Sequence, residues 1–72
     1  MSAQTDKLGA MARQIADFFR PYPQEEAVRS IADHINRFWT RKMRAQFLES
    51  PEIANGASDP LLVAAAKSIR RE

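Results

Sequence analysis

Apolar residues recur at intervals of three and four along most of the chain, the spacing of one face of an α-helix. The first such stripe comprises Leu8, Met11, Ala12, Ile15, Phe18 and Phe19. Thr5 or Asp6 can cap the start of this helix, and Pro21 and Pro23 end it, because a helix rarely continues into the residue before a proline. The stripe is wide for so short a segment, so we expect this face to be buried, either in the core or against a partner.

The second helix is predicted to open at Tyr22-Pro23, since proline suits a first helical turn. Glu25 and Glu26 follow, where acids complement the positive end of the helix dipole. Its apolar face comprises Val28, Ile31, Ala32, Ile35 and Phe38. Two acid-before-base pairs spaced four apart indicate that the opposite face is solvated: Glu25–Arg29 and Asp33–Arg37.

Two interpretations fit the region that follows. Thr40 can cap a third helix over Arg41–Glu49, or the second helix can run on without a break to Glu49. A continuous helix would align Arg37, Arg41 and Arg44 on one face, whereas a break would spread them. Ser50-Pro51 ends the segment in either case.

Residues 50–58 are predicted to form a loop, with Asn55-Gly56 as a turn signal. Asp59-Pro60 then opens a last helix, predicted over residues 59–71, because a capping acid precedes a proline of the first turn. Its apolar side carries Leu61, Leu62, Ala65 and Ile69, and its end carries Lys67, Arg70 and Arg71. The prediction is an all-α fold, a small bundle of three to four short helices. Residues 1–72 form one domain with a flexible N-terminus at 1–5.

Length and composition limit what such a domain can be. With 72 residues the chain can bury only a small core, and without cysteine it has no disulfide or thiolate metal site to reinforce that core. Helix packing or a partner must therefore supply stability. No apolar run approaches the roughly 20 residues needed to span a bilayer, and residues 1–14 lack the apolar core of a signal peptide. The expected location is the cytoplasm, without membrane attachment.

Candidate groups for catalysis are few. His34 is the only histidine, and Ser30 lies one turn before it, but no third residue orients the pair. A structural zinc site requires four ligands, and the adjacent Asp33 and His34 point to different sides of a helix. Only Gly9 and Gly56 occur, so no glycine-rich phosphate loop exists. We expect no catalytic residue, no bound cofactor and no metal.

The most informative segment is basic and aromatic. Acids are absent from residues 34–48, where four cations surround the only tryptophan. Phe38 is predicted to pack inward after Ile35, and Trp39 points about 100° away, so one of them faces a second contact. That contact is a helix–helix corner or an interface anchor, since Trp and Arg are enriched among residues that dominate binding. The predicted partner-binding residues are Arg37, Phe38, Trp39, Arg41, Lys42, Met43 and Arg44.

Two classes of partner fit this segment, an acidic protein and a phosphate backbone. The net charge of +2 is modest for a nucleic-acid binder, whose affinity grows with the charges it neutralises. A helix-turn-helix arrangement would leave the third helix few base-reading side chains, because Met43, Phe47 and Leu48 are apolar. A small basic nucleic-acid-binding regulator is therefore the alternative to a protein-binding module. Self-association of the isolated chain as a homodimer is a further possibility.

Several blocks of the sequence resemble one family. They are residues 11–19 (MARQIADFF), 26–28 (EAV), 32–39 (ADHINRFW) and 42–44 (KMR), followed by 59–62 (DPLL). In this order they resemble the delta subunit of soluble, NAD-dependent, molybdenum-containing formate dehydrogenases, from Lys7 to about Ala66. Two departures stand out: Thr40-Arg41 occupies the place of the family's usual Asp-Pro pair, and Lys42 replaces a frequent arginine.

The resemblance implies a small, non-catalytic accessory subunit. In that family the alpha subunit carries the molybdenum centre and iron–sulfur clusters, and the beta and gamma subunits carry flavin, further clusters and the NAD site. The delta subunit is associated with assembly or stability of the complex, including cofactor insertion into the alpha subunit. The implied partner is thus the alpha subunit and its complex, with no cofactor held by the chain itself and no nucleic acid bound.

Overall fold

The computed structural model describes the backbone of residues 3–70 and the side chains of residues 7–70. Over this range the chain forms five helices and no strand: α1 (Ala3–Phe19), α2 (Gln24–Phe38), α3 (Arg41–Glu49), α4 (Pro51–Ala54) and α5 (Pro60–Ala66). The predicted all-α class is therefore confirmed. Within the same range, no helix combines the length and the apolar character that crossing a membrane requires.

The first helix begins earlier than predicted. It starts at Ala3, so Thr5 and Asp6 lie inside the first turns rather than at the cap position. Residues 3–5 of the segment expected to be flexible are helical, and residues 1–2 lie outside the described range. The end of α1 at Phe19 agrees with the two prolines that follow it.

The second and third helices are separate. Trp39 and Thr40 leave helical geometry, with ψ angles of 145° and 162°. The hydroxyl of Thr40 then accepts a hydrogen bond of 3.1 Å from the backbone N–H of Met43, which caps α3. The continuous-helix alternative is thus wrong, and the cap at Thr40 is the arrangement that forms.

The predicted loop at 50–58 is wrong in its first half. Pro51 stands at the first position of α4, where its missing N–H costs no hydrogen bond. Gly56 ends this short helix with a φ of +69°, a left-handed conformation that glycine adopts at no steric cost. Hydrogen bonds from Gly56 N to Ile53 O and from Ala57 N to Glu52 O complete the helix end.

The last helix starts as predicted but ends early. Asp59 accepts a hydrogen bond of 2.9 Å from the N–H of Leu61, and Pro60 follows it in the first turn. The helix covers Pro60–Ala66 rather than 59–71, and Arg71 lies outside the described residues. The residues after α5 return to α2, where the Asn36 amide donates to the Ser68 carbonyl and accepts from the Arg70 N–H.

The core forms where α1, α2, α3 and α5 meet, and the contact of α2 with α5 is the most extensive. Buried aliphatic residues fill its centre, with Ile31, Ile35 and Leu62 as the largest that are fully enclosed. Small residues on α1, α2 and α5 allow the helices to approach closely: Ala12, Ala16, Ala27, Ala32 and Ala65. Ile69 is also buried, so the segment after α5 contributes to the core.

Salt bridges of Arg20 join the end of α1 to the start of α5. Arg20 Nη2 lies 2.6 Å from Asp59 Oδ2 and 2.8 Å from Asp17 Oδ1. The hydrogen bond from Arg20, supported by that from the Leu61 N–H, lowers the pKa of Asp59 against the opposing effect of desolvation. One carboxylate therefore serves both as a helix cap and as a link between two helices.

Candidate functional site

The structure reverses the expected roles of Phe38 and Trp39. The Phe38 side chain is 72% exposed, so the prediction that it packs inward is wrong. Trp39 is 5% exposed and packs edge-on against Phe47, with ring centroids 5.6 Å apart. The physical reason is the break between α2 and α3. The chain turns at Trp39 to enter α3, and this turn directs the indole into the space between the two helices. Trp39 is a core residue, and the exposed aromatic of the pair is Phe38.

Arg44 does not belong to the exposed basic surface. It is 9% exposed, and its Nη1 donates a hydrogen bond of 2.8 Å to the Trp39 carbonyl. Its Nε donates to the Arg70 carbonyl at 2.8 Å, and Nη1 makes a longer contact of 3.5 Å with the Asn36 carbonyl. The last carbonyls of a helix have no partner inside it, and a cation suits the negative pole of the helix. Arg44 therefore closes the end of α2 and holds the segment after α5 beside it.

The remaining members of the predicted set differ in their surroundings. Arg37 is exposed and pairs with Asp33 at 3.2 Å, one turn earlier on α2. Met43 is half-buried and packs against the core. Arg41 and Lys42 are exposed, and among the described residues neither forms an ion pair. We call Arg41 and Lys42 the cationic corner.

The cationic corner lies at an unfavourable place for its own helix. Arg41 and Lys42 occupy the first turn of α3, and this turn contains no acid. The first turn is the positive end of the helix dipole, where cations are disfavoured by about 0.3–1 kcal/mol each at most. These charges thus contribute nothing to the stability of α3 through the dipole.

An apolar groove runs between α1 and α2 and has a volume of about 440 Å³. Its lining consists of Met11, Gln14, Ile15, Phe18, Phe19, His34 and Trp39, which together we call the aromatic groove. Phe18 is 70% exposed and packs edge-on against Phe19, with centroids 5.0 Å apart. On the opposite side Phe38 lies against the His34 ring at 4.7 Å, which extends the apolar surface along α2.

The sequence-based prediction missed the α1 half of this surface. The wide stripe of α1 is predicted to pack in the core or against a partner, and among the described side chains of this helix only Leu8, Ala12 and Ala16 are enclosed in the core. The width of the stripe was the available signal, because one packing neighbour covers only part of an arc that broad. Of the predicted set, the structure places Trp39 in the groove floor and Phe38 beside it.

The groove offers little reactive chemistry of its own. His34 is half-buried and its ring faces Phe38 rather than a nucleophile. Across the described residues, no three His, Cys, Asp or Glu side chains cluster in a way that could hold a metal ion. What this part of the chain presents is exposed aromatic area, followed in the sequence by two cations that form no ion pair with a described residue. Aromatic residues and arginine are enriched at protein interfaces.

A comparison with known protein families gives a match over most of the chain. The family model described as NADH-dependent formate dehydrogenase delta subunit FdsD matches residues 7–66. No curated protein and no solved structure matches the chain. The matched range runs from α1 to the last residue of α5 and includes the whole aromatic groove and the cationic corner. The chain therefore belongs to the family of NADH-dependent formate dehydrogenase delta subunits.

Proposed function

We propose that this protein is a non-catalytic accessory subunit that binds the molybdenum-bearing alpha subunit of a cytoplasmic NAD-dependent formate dehydrogenase. In this role it supports assembly of the complex, insertion of the molybdenum cofactor or stability of the finished enzyme. Membership of the delta-subunit family supports association with such a complex. The observation that carries the proposal is the exposure of two phenylalanines: Phe18, which lines the aromatic groove and is 70% exposed, and Phe38, which packs on His34 of that groove and is 72% exposed.

The physical argument concerns apolar surface left in water. Each exposed phenyl ring has much apolar area that burial against a partner would remove from solvent, at about 25 cal/mol per Å². A domain of 72 residues already has a small core, so keeping two large aromatics outside it sacrifices stability. That arrangement is consistent with a surface that is covered in a larger assembly.

The nucleic-acid alternative loses support from the same geometry. Of the four cations in the basic segment, Arg44 is engaged with backbone carbonyls and Arg37 with Asp33. The cationic corner alone remains for phosphate contacts, whereas affinity for nucleic acid at physiological salt requires several.

The test is deletion of the chain in its host, with a tagged alpha subunit. We expect lower formate-dependent reduction of NAD in extracts and restoration by the wild-type chain. The alpha subunit isolated from the deletion strain is then analysed for molybdenum and for co-purifying subunits. Loss of molybdenum indicates a role in cofactor insertion, and loss of subunits with full molybdenum indicates a role in assembly. Unchanged activity, molybdenum and subunit content would refute the proposal.

A further inference from the structure

We propose that the aromatic groove binds one amphipathic, acidic helix of the alpha subunit, with its apolar side in the groove and its carboxylates facing the cationic corner. This inference rests on the proposed function and specifies the chemistry of the partner segment. It is argued from the shape of the groove and from the two cations that follow its residue Trp39 in the sequence.

The shape of the groove fits a helix. Its α1 side is formed by Met11, Gln14, Ile15 and Phe18, which recur at three- and four-residue spacing along one side of that helix. From Met11 to Phe18 this side extends over about 10 Å, the length of two helical turns. His34 on α2 forms the facing wall, so the groove lies between two helices, where a third helix can insert apolar side chains.

The charges point to an acidic partner. Arg41 and Lys42 follow Trp39, a groove residue, by two and three positions, and neither forms an ion pair within the described part of the chain. Since they also occupy the disfavoured end of α3, their charges break a local rule of helix stability, and no ion pair with a described residue compensates for it. Departures of that kind are expected at functional sites. Carboxylates on a partner helix would supply the missing contact.

A second copy of this chain fits the surface less well. A symmetric dimer would place the same patch on both sides of the interface and bring two cationic corners towards each other. Like charges across an interface suppress association. The acidic helix is therefore the occupant that the charges favour, and self-association through the groove is an outcome that the test can detect.

The first test measures binding of purified full-length variants to the purified alpha subunit by titration calorimetry. Phe18→Ala and Phe38→Ala remove rings that are 70% and 72% exposed and that pack on Phe19 and on His34, respectively. Tyr22→Ala is the matched control, a 48% exposed aromatic that also packs on Phe19 but does not line the groove. We expect the Phe18 and Phe38 variants each to weaken binding by about 30-fold or more, the loss expected on truncating an interface anchor, and the control by less than about 3-fold.

The second test addresses charge. Arg41→Gln with Lys42→Gln removes the cationic corner, and Arg29→Gln with Lys67→Gln removes the same number of exposed charges elsewhere. We expect the variant without the cationic corner to bind more weakly than the variant that lacks Arg29 and Lys67. We also expect its affinity for the alpha subunit to fall less steeply with rising salt than that of the wild-type chain. Equal effects of the two pairs would overturn the assignment of partner acids to the corner.

The third test identifies the occupant. A photoreactive benzoylphenylalanine replaces Phe38 in the full chain, and the crosslinked peptide of the purified complex is sequenced. A helical, acidic segment of the alpha subunit with apolar residues three and four apart supports the inference. A basic or non-helical segment, a second copy of the chain, or no crosslink in a formed complex overturns it.

The outcomes separate the two proposals. If the wild-type chain fails to bind the alpha subunit at all, the proposed function and this inference both fail. If it binds, and the Phe18, Phe38 and cationic-corner variants bind equally well, the groove assignment alone is wrong.

Discussion

Arg44 donates a hydrogen bond of 2.8 Å to the carbonyl oxygen of Trp39, so that a residue of α3 closes the end of α2. Its Nε makes a second bond to the carbonyl of Arg70. One cation therefore connects three segments: the end of α2, α3 itself and the segment after α5. This relationship explains how two helices can meet at a sharp break without leaving carbonyl groups buried and unpaired.

Replacing Arg44 by lysine should destabilise the fold. Lysine keeps the charge but lacks the planar fork that reaches two carbonyls at once. We expect the free energy of unfolding to fall by about 2 kcal/mol, the value of a buried hydrogen bond to a charged group. Urea unfolding followed by circular dichroism measures the change, and Arg41→Lys, an exposed match on the same helix, should stay within about 0.5 kcal/mol of wild type. Equal effects at both positions would contradict the structural role of Arg44.

The neighbouring aromatics give a second comparison. Trp39→Ala opens a cavity next to Phe47 and should lower the free energy of unfolding by about 3–5 kcal/mol. A loss of that size is enough to unfold a domain as small as this one. Phe38→Ala removes a ring that is 72% exposed and should change the free energy of unfolding by less than about 0.5 kcal/mol. Thermal unfolding of the two variants decides the matter, and a Phe38 variant as unstable as the Trp39 variant would show that the burial pattern is wrong.

These two residues also mark the limit of what the sequence could predict. The caps at Thr40 and Asp59-Pro60 were predictable because each depends on a few adjacent residues. Phe38 and Trp39, by contrast, lie at roughly equal angles on either side of the buried stripe of α2, so periodicity alone could not choose between them. The choice depends on the break at Trp39 and on α3, which supplies Phe47 as the packing surface.

The candidate site was predictable in part for a similar reason. The basic and aromatic segment indicates Phe38 and the cationic corner, whereas the spacing of Phe18 places it in the α1 stripe, which is predicted to pack either in the core or against a partner. The sequence predicts Arg44 to be part of the partner-binding surface because it lies in the same acid-free segment as the other three cations and the tryptophan. The burial of Arg44 requires acceptor carbonyls from α2 and from the segment after α5, and only the folded chain brings these together.

The two glycines should respond in opposite ways to alanine. A Cβ at Gly9 inside α1 would meet only Arg13 Nη1, at an ordinary contact distance of 3.6 Å. Alanine there should stabilise the chain by up to about 1 kcal/mol through helix propensity. Gly56 has a φ of +69°, where a Cβ is strained although the space around it is open. Gly56→Ala should therefore destabilise by about 1 kcal/mol. Melting temperatures that shift in the same direction for both variants would contradict this.

Acid should weaken the salt bridge between Arg20 and Asp59, which joins α1 to α5. Because the pKa of Asp59 is lower in the folded chain than its ordinary value of 3.8, the carboxylate stabilises the fold at pH values above that value. The contribution is lost as the pH falls through the lowered folded-state pKa. When urea unfolding is measured from about pH 6 to about pH 2, the free energy of unfolding should therefore decline less for Asp59→Asn than for wild type.

A matched variant tests whether that pH dependence belongs to Asp59. Asp33→Asn removes a carboxylate of an exposed pair with Arg37 on the surface of α2. Such pairs contribute little, so the acid-induced decline of this variant should follow wild type. An Asp59→Asn curve that also follows wild type would show that the salt bridge to Arg20 is not the source of the effect.

The position of the single tryptophan has a practical consequence. Its indole is enclosed beside Phe47, yet it also forms part of the floor of the aromatic groove. Ultraviolet-excited emission from this ring should shift to longer wavelength when the chain unfolds and water reaches it. The intensity of the same emission should change when a partner helix binds in the groove next to the indole. The molecule thus contains an intrinsic optical probe that follows both its folding and its occupancy without any added label.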